Sequence, residues 1–232
     1  MRVAAVTFVR NEFDLLPVWL KYYYSQVDEI YVMNPAKEKY PGEFHEVFYE
    51  DEDNSSIEQA RDQVHRLLEK LIKEFDWIVY GDADEFVVPD PAKYKGLRDF
   101  LQFQDQDVIY CSGYDILQDN LPALDFSKPL LEQRKRWTPA HPYNKPIVFR
   151  KIQDWADGWH YTKPLMEKAN KANVDLKEAI SKVKNENLYL IHLKRACVDL
   201  YNRRQGVNGG HRGDWMAWLD QAVEIPERFK VI

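Results

Sequence analysis

The sequence has few cysteines and lacks any long apolar run. Its 232 residues include two cysteines, Cys111 and Cys197, which lie far apart without metal-ligand spacing. We therefore expect reduced thiols rather than a disulfide or a zinc site. No stretch approaches the roughly 18 apolar residues of a transmembrane helix, and charged residues precede any useful apolar stretch at the N terminus. These absences predict a soluble, cytoplasmic protein, with peripheral association with a membrane left open.

Excess positive charge and glycine-rich phosphate loops are also lacking. The chain carries 32 Lys and Arg residues against 38 Asp and Glu residues, a formal net charge of -6. This balance argues against a general nucleic-acid binder, so we expect no nucleic-acid partner. The sequence has no Walker A motif, which disfavours phosphoryl and nucleotidyl enzymes of the P-loop class. Because 45% of the residues are apolar, the chain can bury a substantial core without disulfides.

Strands and helices are predicted to alternate along the first 85 residues. Short apolar segments rich in β-branched residues predict strands over 2–9, 29–34, 43–50 and 76–82. Helical spacing of apolar residues predicts a helix over 11–25, with Asn11 as its N-cap, and another over 55–75, where Ser55 and Glu58 have capping-box spacing. This alternation predicts an α/β fold with a mostly parallel, Rossmann-like sheet flanked by helices.

The pattern is less regular after residue 90. Strands are predicted over 107–117, 145–152 and 187–193, and helices over 94–102, 194–205 and 214–222. Residues 119–146 are predicted to form a proline-rich loop and residues 154–164 a turn-rich one. The length fits one domain, so residues 1–232 are assigned to a single domain.

Three carboxylates interrupt an apolar stretch where the strand 76–82 ends, in DWIVYGDADEFVVPDP. Asp82 and Asp84 are two residues apart, so in an extended chain their side chains point to the same side. Two carboxylates on one side repel each other unless one is protonated or a cation lies between them. Oxygen ligands select Mg²⁺ or Mn²⁺. The alternative is a solvated acidic turn that caps the next helix.

The segment FDWIVYGDADEF, with AAVTFVRNEFDLLPVWLKYY and DEIYVMN upstream, resembles glycosyltransferase family 2-like proteins of the GT-A fold. The resemblance covers residues 1–90, and NKPIVFRK, DGWHY and LYLIHLKRACVDLYNRR are similar to later blocks of the family. It implies metal-dependent, inverting transfer of a sugar from a nucleotide-diphosphate sugar, with a UDP-sugar favoured. The acceptor would be a glycan or another hydroxyl compound, as in polysaccharide biosynthesis. Residues 1–90 would bind the donor, and residues 91–232 would form the acceptor side.

The resemblance also implies which residues bind the donor. Asp82 and Asp84 match the carboxylate pair that holds Mn²⁺ or Mg²⁺ and the diphosphate. Asp84 is favoured as the direct ligand, and Asp82 as a partner of the ribose or, through water, of the metal. Asn34 stands where the family often has an Asp that reads the base or the ribose. The residues implied in donor binding are Thr7, Val9, Arg10, Asn11, Glu12, Asn34, Arg61 and Asp82.

One C-terminal histidine is implied to join the carboxylates around the ion. His160 lies in GWHYT, where Gly158 permits a tight turn that could aim the imidazole at the metal. His192 ends the predicted strand NLYLIH. We favour His160 as the third ligand, with His192 as the alternative, although a lone histidine is more often an ordinary polar residue.

The catalytic base of an inverting transfer would be a carboxylate that takes the proton of the acceptor hydroxyl. Asp115 follows a strand and a glycine, and Asp157 adjoins His160, so these two are our candidates; Asp119 and Asp154 are alternatives. Each of them could instead be a turn residue. The family's Glu-Asp pair before a helix is missing from the sequence. A catalytically inactive nucleotide- or sugar-binding protein of the same fold is therefore the alternative function.

Basic and aromatic residues in the second half give weaker indications. Lys145 and Arg150 flank a predicted strand and could reach a diphosphate. Arg134 and its basic neighbours in LEQRKRW could recognise an anionic acceptor or could form a solvated basic loop. The aromatic residues Trp155, Trp159 and Tyr161 could stack on a sugar or pack in the core.

Overall fold

The computed structural model describes residues 1–9, 14–34, 44–48, 57–118, 122–156, 159–193, 196 and 221–230. The helices in these ranges are α1 (Leu16–Tyr24), α2 (Ile57–Leu71), α3 (Leu97–Leu101), α4 (Lys163–Ala172) and α5 (Leu176–Val183). The strands are β1 (Val3–Phe8), β2 (Glu29–Asn34), β3 (His45–Phe48), β4 (Trp77–Asp82), β5 (Glu85–Pro89), β6 (Val108–Leu117), β7 (Arg136–Pro139), β8 (Val148–Phe149), β9 (Lys184–His192) and β10 (Val223–Glu224).

The first half of the chain forms four parallel strands in the order β3-β2-β1-β4. The predicted alternation of strands and helices is confirmed here. Phe8 at the end of β1 pairs with Met33 of β2 on one side and with Asp82 of β4 on the other. The three strands therefore end at the same edge of the sheet, which is where α/β sheets bind ligands.

Helices cover both faces of this parallel sheet. Val3 and Ala5 of β1 pack in one apolar cluster with Trp19 of α1, whereas Ala4 and Val6 pack in a second cluster with Leu68 of α2. Successive side chains of a strand point to opposite faces, so the side chains of β1 are buried on both faces of the sheet. This burial explains why VAAVTF shows no polar alternation.

The second half adds mostly antiparallel strands, so the whole sheet is mixed. Its path is β10-β7-β6-β8-β4-β1-β2-β3, and β9 lies between β5 and β6. β9 runs parallel to β6 after the crossover through α4 and α5, which supplies the length that a parallel connection needs. The expectation of a mostly parallel sheet therefore describes the first half of the fold and not the second.

The edge of β5 that does not face β9 is bonded by aromatic side chains of α1. Trp19 Nε1 donates to the carbonyl of Glu85 (3.2 Å), and the Tyr22 hydroxyl donates to the carbonyl of Val87 (2.8 Å). The backbone N–H of Val87 donates to the Tyr23 hydroxyl (2.9 Å). Because these contacts satisfy the backbone groups of an edge strand, α1 fixes the position of β5 in the fold.

Several predicted elements differ from the structure. Helix α1 begins at Leu16 rather than at residue 11, because Pro17 suits the first turn of a helix. The predicted strand 145–152 is reduced to Val148–Phe149. Helices α4 and α5 were not predicted, although Asn173 in a left-handed conformation ends α4 and Asp175 caps α5. Asn11, Ser55, residues 214–220 and most of 194–205 lie outside the described residues.

Two predictions from composition can be compared with the structure. Cys111 is a free, buried thiol, as expected, and Cys197 lies outside the described residues. Within the described ranges, no helix is both long enough and apolar enough to cross a membrane.

The strand β6 needs a glycine at position 113. Its N–H donates to Asn144 Oδ1 (2.7 Å), and a Cβ placed there would lie 2.4 Å from the Tyr143 carbonyl carbon. We predict that Gly113→Ala lowers the free energy of unfolding by about 1–3 kcal/mol, because the backbone of Tyr143 has to move. Urea denaturation measures the change. Gly81→Ala is the control, since its Cβ would meet Glu85 only at 3.4 Å; equal losses in the two variants would contradict the prediction.

Candidate active site

The acidic motif turns sharply between two strands. Asp82 ends β4, Ala83 and Asp84 form a turn, and Glu85 begins β5. Asp82 is partly exposed, but Asp84 and Glu85 expose only 1% and 2% of their surface. The interpretation as a solvated acidic turn that caps a helix is therefore wrong. The motif is also not extended through Asp84, so the turn and not strand alternation sets the directions of the carboxylates.

His192 lies between two buried carboxylates. Its Nδ1 is 2.5 Å from Asp115 Oδ1, and its Nε2 is 3.1 Å from Asp84 Oδ2. The position follows from the sheet, because β9 lies between β5 and β6 and brings His192 opposite both Glu85 and Asp115. Asp115 exposes no surface, and His192 exposes 1%. Buried carboxylates require such partners, because an unpaired buried charge is costly.

A second buried ion pair joins Lys145 to Glu85. The Lys145 Nζ lies 2.5 Å from Glu85 Oε1, and Glu85 Oε2 accepts the backbone N–H of Asp82 (3.3 Å). Burial lowers the pKa of Lys145, but the attraction of Glu85, Asp82 and Asp84 outweighs burial and raises the pKa overall. Lys145 is therefore a fixed positive charge beside the acidic turn, and it holds Glu85 in the structure.

Four consecutive residues of the predicted loop 119–146 each contact a different part of the site. The contacts are the Pro142 carbonyl with His160 Nδ1 (2.5 Å), the Tyr143 ring stacked on His192 (centroids 3.8 Å apart), Asn144 Oδ1 with the N–H of Gly113 (2.7 Å), and Lys145 with Glu85. We call residues 142–145 the clamp segment. Sequence reasoning singled out only Lys145 among its members, because the segment has no hydrophobic periodicity.

His160 contacts the clamp segment through the Pro142 carbonyl. The histidine that the structure shows beside Asp84 is His192. Burial lowers the pKa of His160, and nearby Lys145 lowers it further, while the Pro142 carbonyl and Asp82 raise it. The net direction is downward, so the neutral imidazole is favoured. Its predicted role as a metal ligand stays a prediction.

Three donor-binding candidates lie at the shared carboxyl edge of β1 and β2. Thr7 is fully buried, and in the described part of the chain its hydroxyl has no hydrogen-bond partner. Val9 is buried and its N–H donates to the Met33 carbonyl (3.0 Å). Asn34 is buried and its amide donates to Glu46 (3.0 Å). Arg61 lies in α2 and is half-buried.

Other candidates cannot be placed at the site. Arg10, Asn11, Glu12, Asp119 and Asp157 lie outside the described residues. Asp154 pairs with Lys163 on the surface (2.9 Å). The structure places Asp115 behind His192 instead of on a surface open to an acceptor, whereas a general base has to reach the hydroxyl that it deprotonates.

Burial decides between the alternatives that the sequence leaves open for Arg134 and for the tryptophans at 155 and 159. Arg134 is buried and donates to the carbonyls of Pro122, Gln133 and Ala196, so it belongs neither to a solvated loop nor to an open acceptor site. Trp155 and Trp159 are both buried and pack with Tyr80 in the second apolar cluster. Core packing, not sugar stacking, therefore accounts for the two tryptophans.

Asp84 and His192 together offer one carboxylate oxygen and one imidazole nitrogen as candidate ligands. Among the described residues no group of three His, Cys, Asp or Glu side chains is arranged to hold a metal. The separation of Asp84 Oδ2 and His192 Nε2, 3.1 Å, nevertheless matches adjacent ligands of an octahedral ion, which lie about 3 Å apart when the bonds are about 2.1 Å. Mg²⁺ commonly takes only one or two carboxylates and completes its shell with water and substrate phosphates.

Comparisons with known proteins add no family assignment. No protein-family model matches the chain, and a search of curated proteins finds no significant match.

The buried ion pair of Lys145 and Glu85 leads us to a prediction about stability. Glu85→Gln leaves the Lys145 ammonium buried without its partner, and Lys145→Met does the same to the Glu85 carboxylate, so each should cost about 3–5 kcal/mol. The double variant should lose clearly less than the two single losses combined, as measured by urea denaturation. Lys163→Met breaks the exposed pair with Asp154 and should cost no more than about 1 kcal/mol. Additive losses at Glu85 and Lys145 would contradict the pairing.

Proposed function

We propose that this protein is a metal-dependent glycosyltransferase with a GT-A-like fold. It would move a sugar from a nucleotide-diphosphate sugar, with a UDP-sugar favoured, to a hydroxyl group of a glycan or another acceptor. The observation that carries the proposal is the contact of Asp84 with His192 beside Asp82, at the edge where β1, β2 and β4 end. The observed α/β architecture, with its mixed sheet flanked by helices, is compatible with this fold.

The position of the acidic turn supports a donor site. In open α/β sheets, ligands bind beyond the carboxyl ends of the strands. Two buried polar side chains lie at those ends. Thr7 is in β1, the neighbour of the strand that ends at Asp82, and Asn34 is one strand further along the sheet, in β2. A nucleotide bound along this edge would bring its diphosphate to the acidic turn, where a bound cation would add to the charge of Lys145 and offset the repulsion between phosphate and carboxylate.

Asp84 and His192 would hold Mn²⁺ or Mg²⁺, with Asp82 binding directly or through water. The ion would supply the positive charge that stabilises the departing diphosphate. The residues of the chain then have separate tasks. Lys145 fixes the acidic turn through Glu85, Tyr143 covers one face of the His192 ring, and Thr7 and Asn34 would lie at the sheet edge along which the nucleotide binds.

The burial of Asp115 favours one alternative function. Because Asp115 lies behind His192 and Asp157 is outside the described residues, the base of an inverting transfer is not among the groups placed at the site. A catalytically inactive protein that binds a nucleotide or a sugar would keep the same acidic turn. Binding without turnover of any donor in a broad acceptor panel would favour this second function.

A thermal-shift screen tests the proposed function. UDP-, GDP- and dTDP-sugars are added with and without Mn²⁺, and we expect one nucleotide class, with UDP favoured, to raise the melting temperature only when Mn²⁺ is present. Mn²⁺-dependent hydrolysis or transfer of that donor should then be abolished in Asp84→Ala. Stabilisation that is independent of Mn²⁺, or full turnover in Asp84→Ala, would contradict the proposal.

The two candidate histidines can be separated by matched substitutions. His192→Gln should remove the Mn²⁺-dependent stabilisation, because Nε2 of this residue contacts Asp84. His160→Gln should keep most of it, since the His160 ring contacts the Pro142 carbonyl. Titration of Mn²⁺ against each folded variant measures the difference. The opposite order of effects would restore His160 as the third ligand.

A further inference from the structure

We propose that Asp115 is a positioning residue: its carboxylate accepts a hydrogen bond from Nδ1 of His192 and thereby holds the ring with Nε2 towards Asp84. The part that concerns the metal ion rests on the proposed function. The part that concerns the histidine stands on the geometry of the metal-free protein.

The hydrogen bond itself fixes the position of the proton. Asp115 Oδ1 and His192 Nδ1 are 2.5 Å apart, and neither residue has appreciable contact with solvent. An ionised carboxylate can only accept a hydrogen bond, so Nδ1 has to carry the proton. A hydrogen bond to a charged acceptor is also shorter and stronger than one between neutral groups. Nε2 in turn faces the Asp84 carboxylate (3.1 Å), so a divalent ion bound there would take the place of the proton shared by these two atoms.

The sheet holds both partners in place. Asp115 and His192 are register partners on the neighbouring parallel strands β6 and β9, so their side chains leave the same face. The same row continues to Glu85 of β5 on one side and to Thr138 of β7 on the other. All four residues of this row are buried. A constellation built on strands is positioned more rigidly than one built on loops.

The remaining surroundings limit the motion of the ring. Tyr143 stacks on His192 with its plane inclined by 28°, and Gly113 gives Tyr143 the space to approach β6. With one face covered and Nδ1 bonded, Nε2 is the nitrogen directed at Asp84. A carboxylate on the distal nitrogen of a metal-bound histidine orients the ring and increases its basicity, and loss of such a partner typically weakens metal binding about 10–100-fold.

The test compares Asp115→Asn with Asp107→Asn. Both substitutions remove one negative charge and keep the shape of the side chain. Asp107 precedes β6, is exposed and lies 3.6 Å from Arg150 and Lys151, away from the row. Two properties are measured: the Nδ1–H resonance of His192 in the metal-free protein, assigned by its loss in His192→Gln, and the dissociation constant for Mn²⁺.

We expect the wild type and Asp107→Asn to show a protonated Nδ1 and the same affinity for Mn²⁺. In Asp115→Asn the Nδ1–H resonance should move upfield, because a neutral amide accepts a weaker hydrogen bond, and the dissociation constant for Mn²⁺ should rise about 10–100-fold. A purely structural role would lower the melting temperature and leave the dissociation constant for Mn²⁺ unchanged.

The outcomes separate the two proposals. An unprotonated Nδ1 in the wild type, or an unchanged resonance in Asp115→Asn, would overturn the positioning role. A shifted resonance in a protein that does not bind Mn²⁺ would support the positioning role and contradict the metal-dependent function. A shifted resonance with unchanged Mn²⁺ affinity would overturn the link between Asp115 and the ion.

Discussion

The candidate site depends on the placement of β9 between β5 and β6. This placement puts His192 opposite Glu85 on one side and Asp115 on the other, and it joins the turn after β4 to the second half of the chain. Because three of the four site carboxylates are buried, each needs a partner that the fold supplies. His192 serves Asp84 and Asp115, and Lys145 serves Glu85. The same contacts that satisfy buried charge therefore also fix the geometry of the site.

The clamp segment contacts both the candidate site and the residues that hold the sheet together. Residues 142–145 touch His160, His192, Gly113 and Glu85 in succession, so a shift of this segment would disturb the imidazoles and the acidic turn together. On the far side, α1 bonds the edge of β5 and holds the start of that strand. The acidic turn is thus supported from both sides, and such support holds side chains in a fixed geometry.

The first half of the fold could be predicted from the sequence, as could the position of the acidic motif where β4 ends. VAAVTF and WIVYGD are apolar at successive positions, and α2 has a clear apolar stripe, so local patterns were sufficient there. The partner of His192 could not be predicted, because Asp115 is 77 residues away and meets it only through the order of β5, β9 and β6. The clamp segment has no periodicity, so only tertiary contacts define it. Helices α4 and α5 did leave signals, at Asn173 and Asp175, that sequence reasoning did not use.

We propose that Asp84 and His192 hold a divalent ion against the diphosphate of a nucleotide. Electron spin-echo spectroscopy of the protein loaded with Mn²⁺ and UDP detects both contacts in one experiment. We expect the ion to show coupling both to an imidazole nitrogen, lost in His192→Gln, and to phosphorus. Coupling to phosphorus without an imidazole nitrogen, or no protein-bound ion at all, would contradict it.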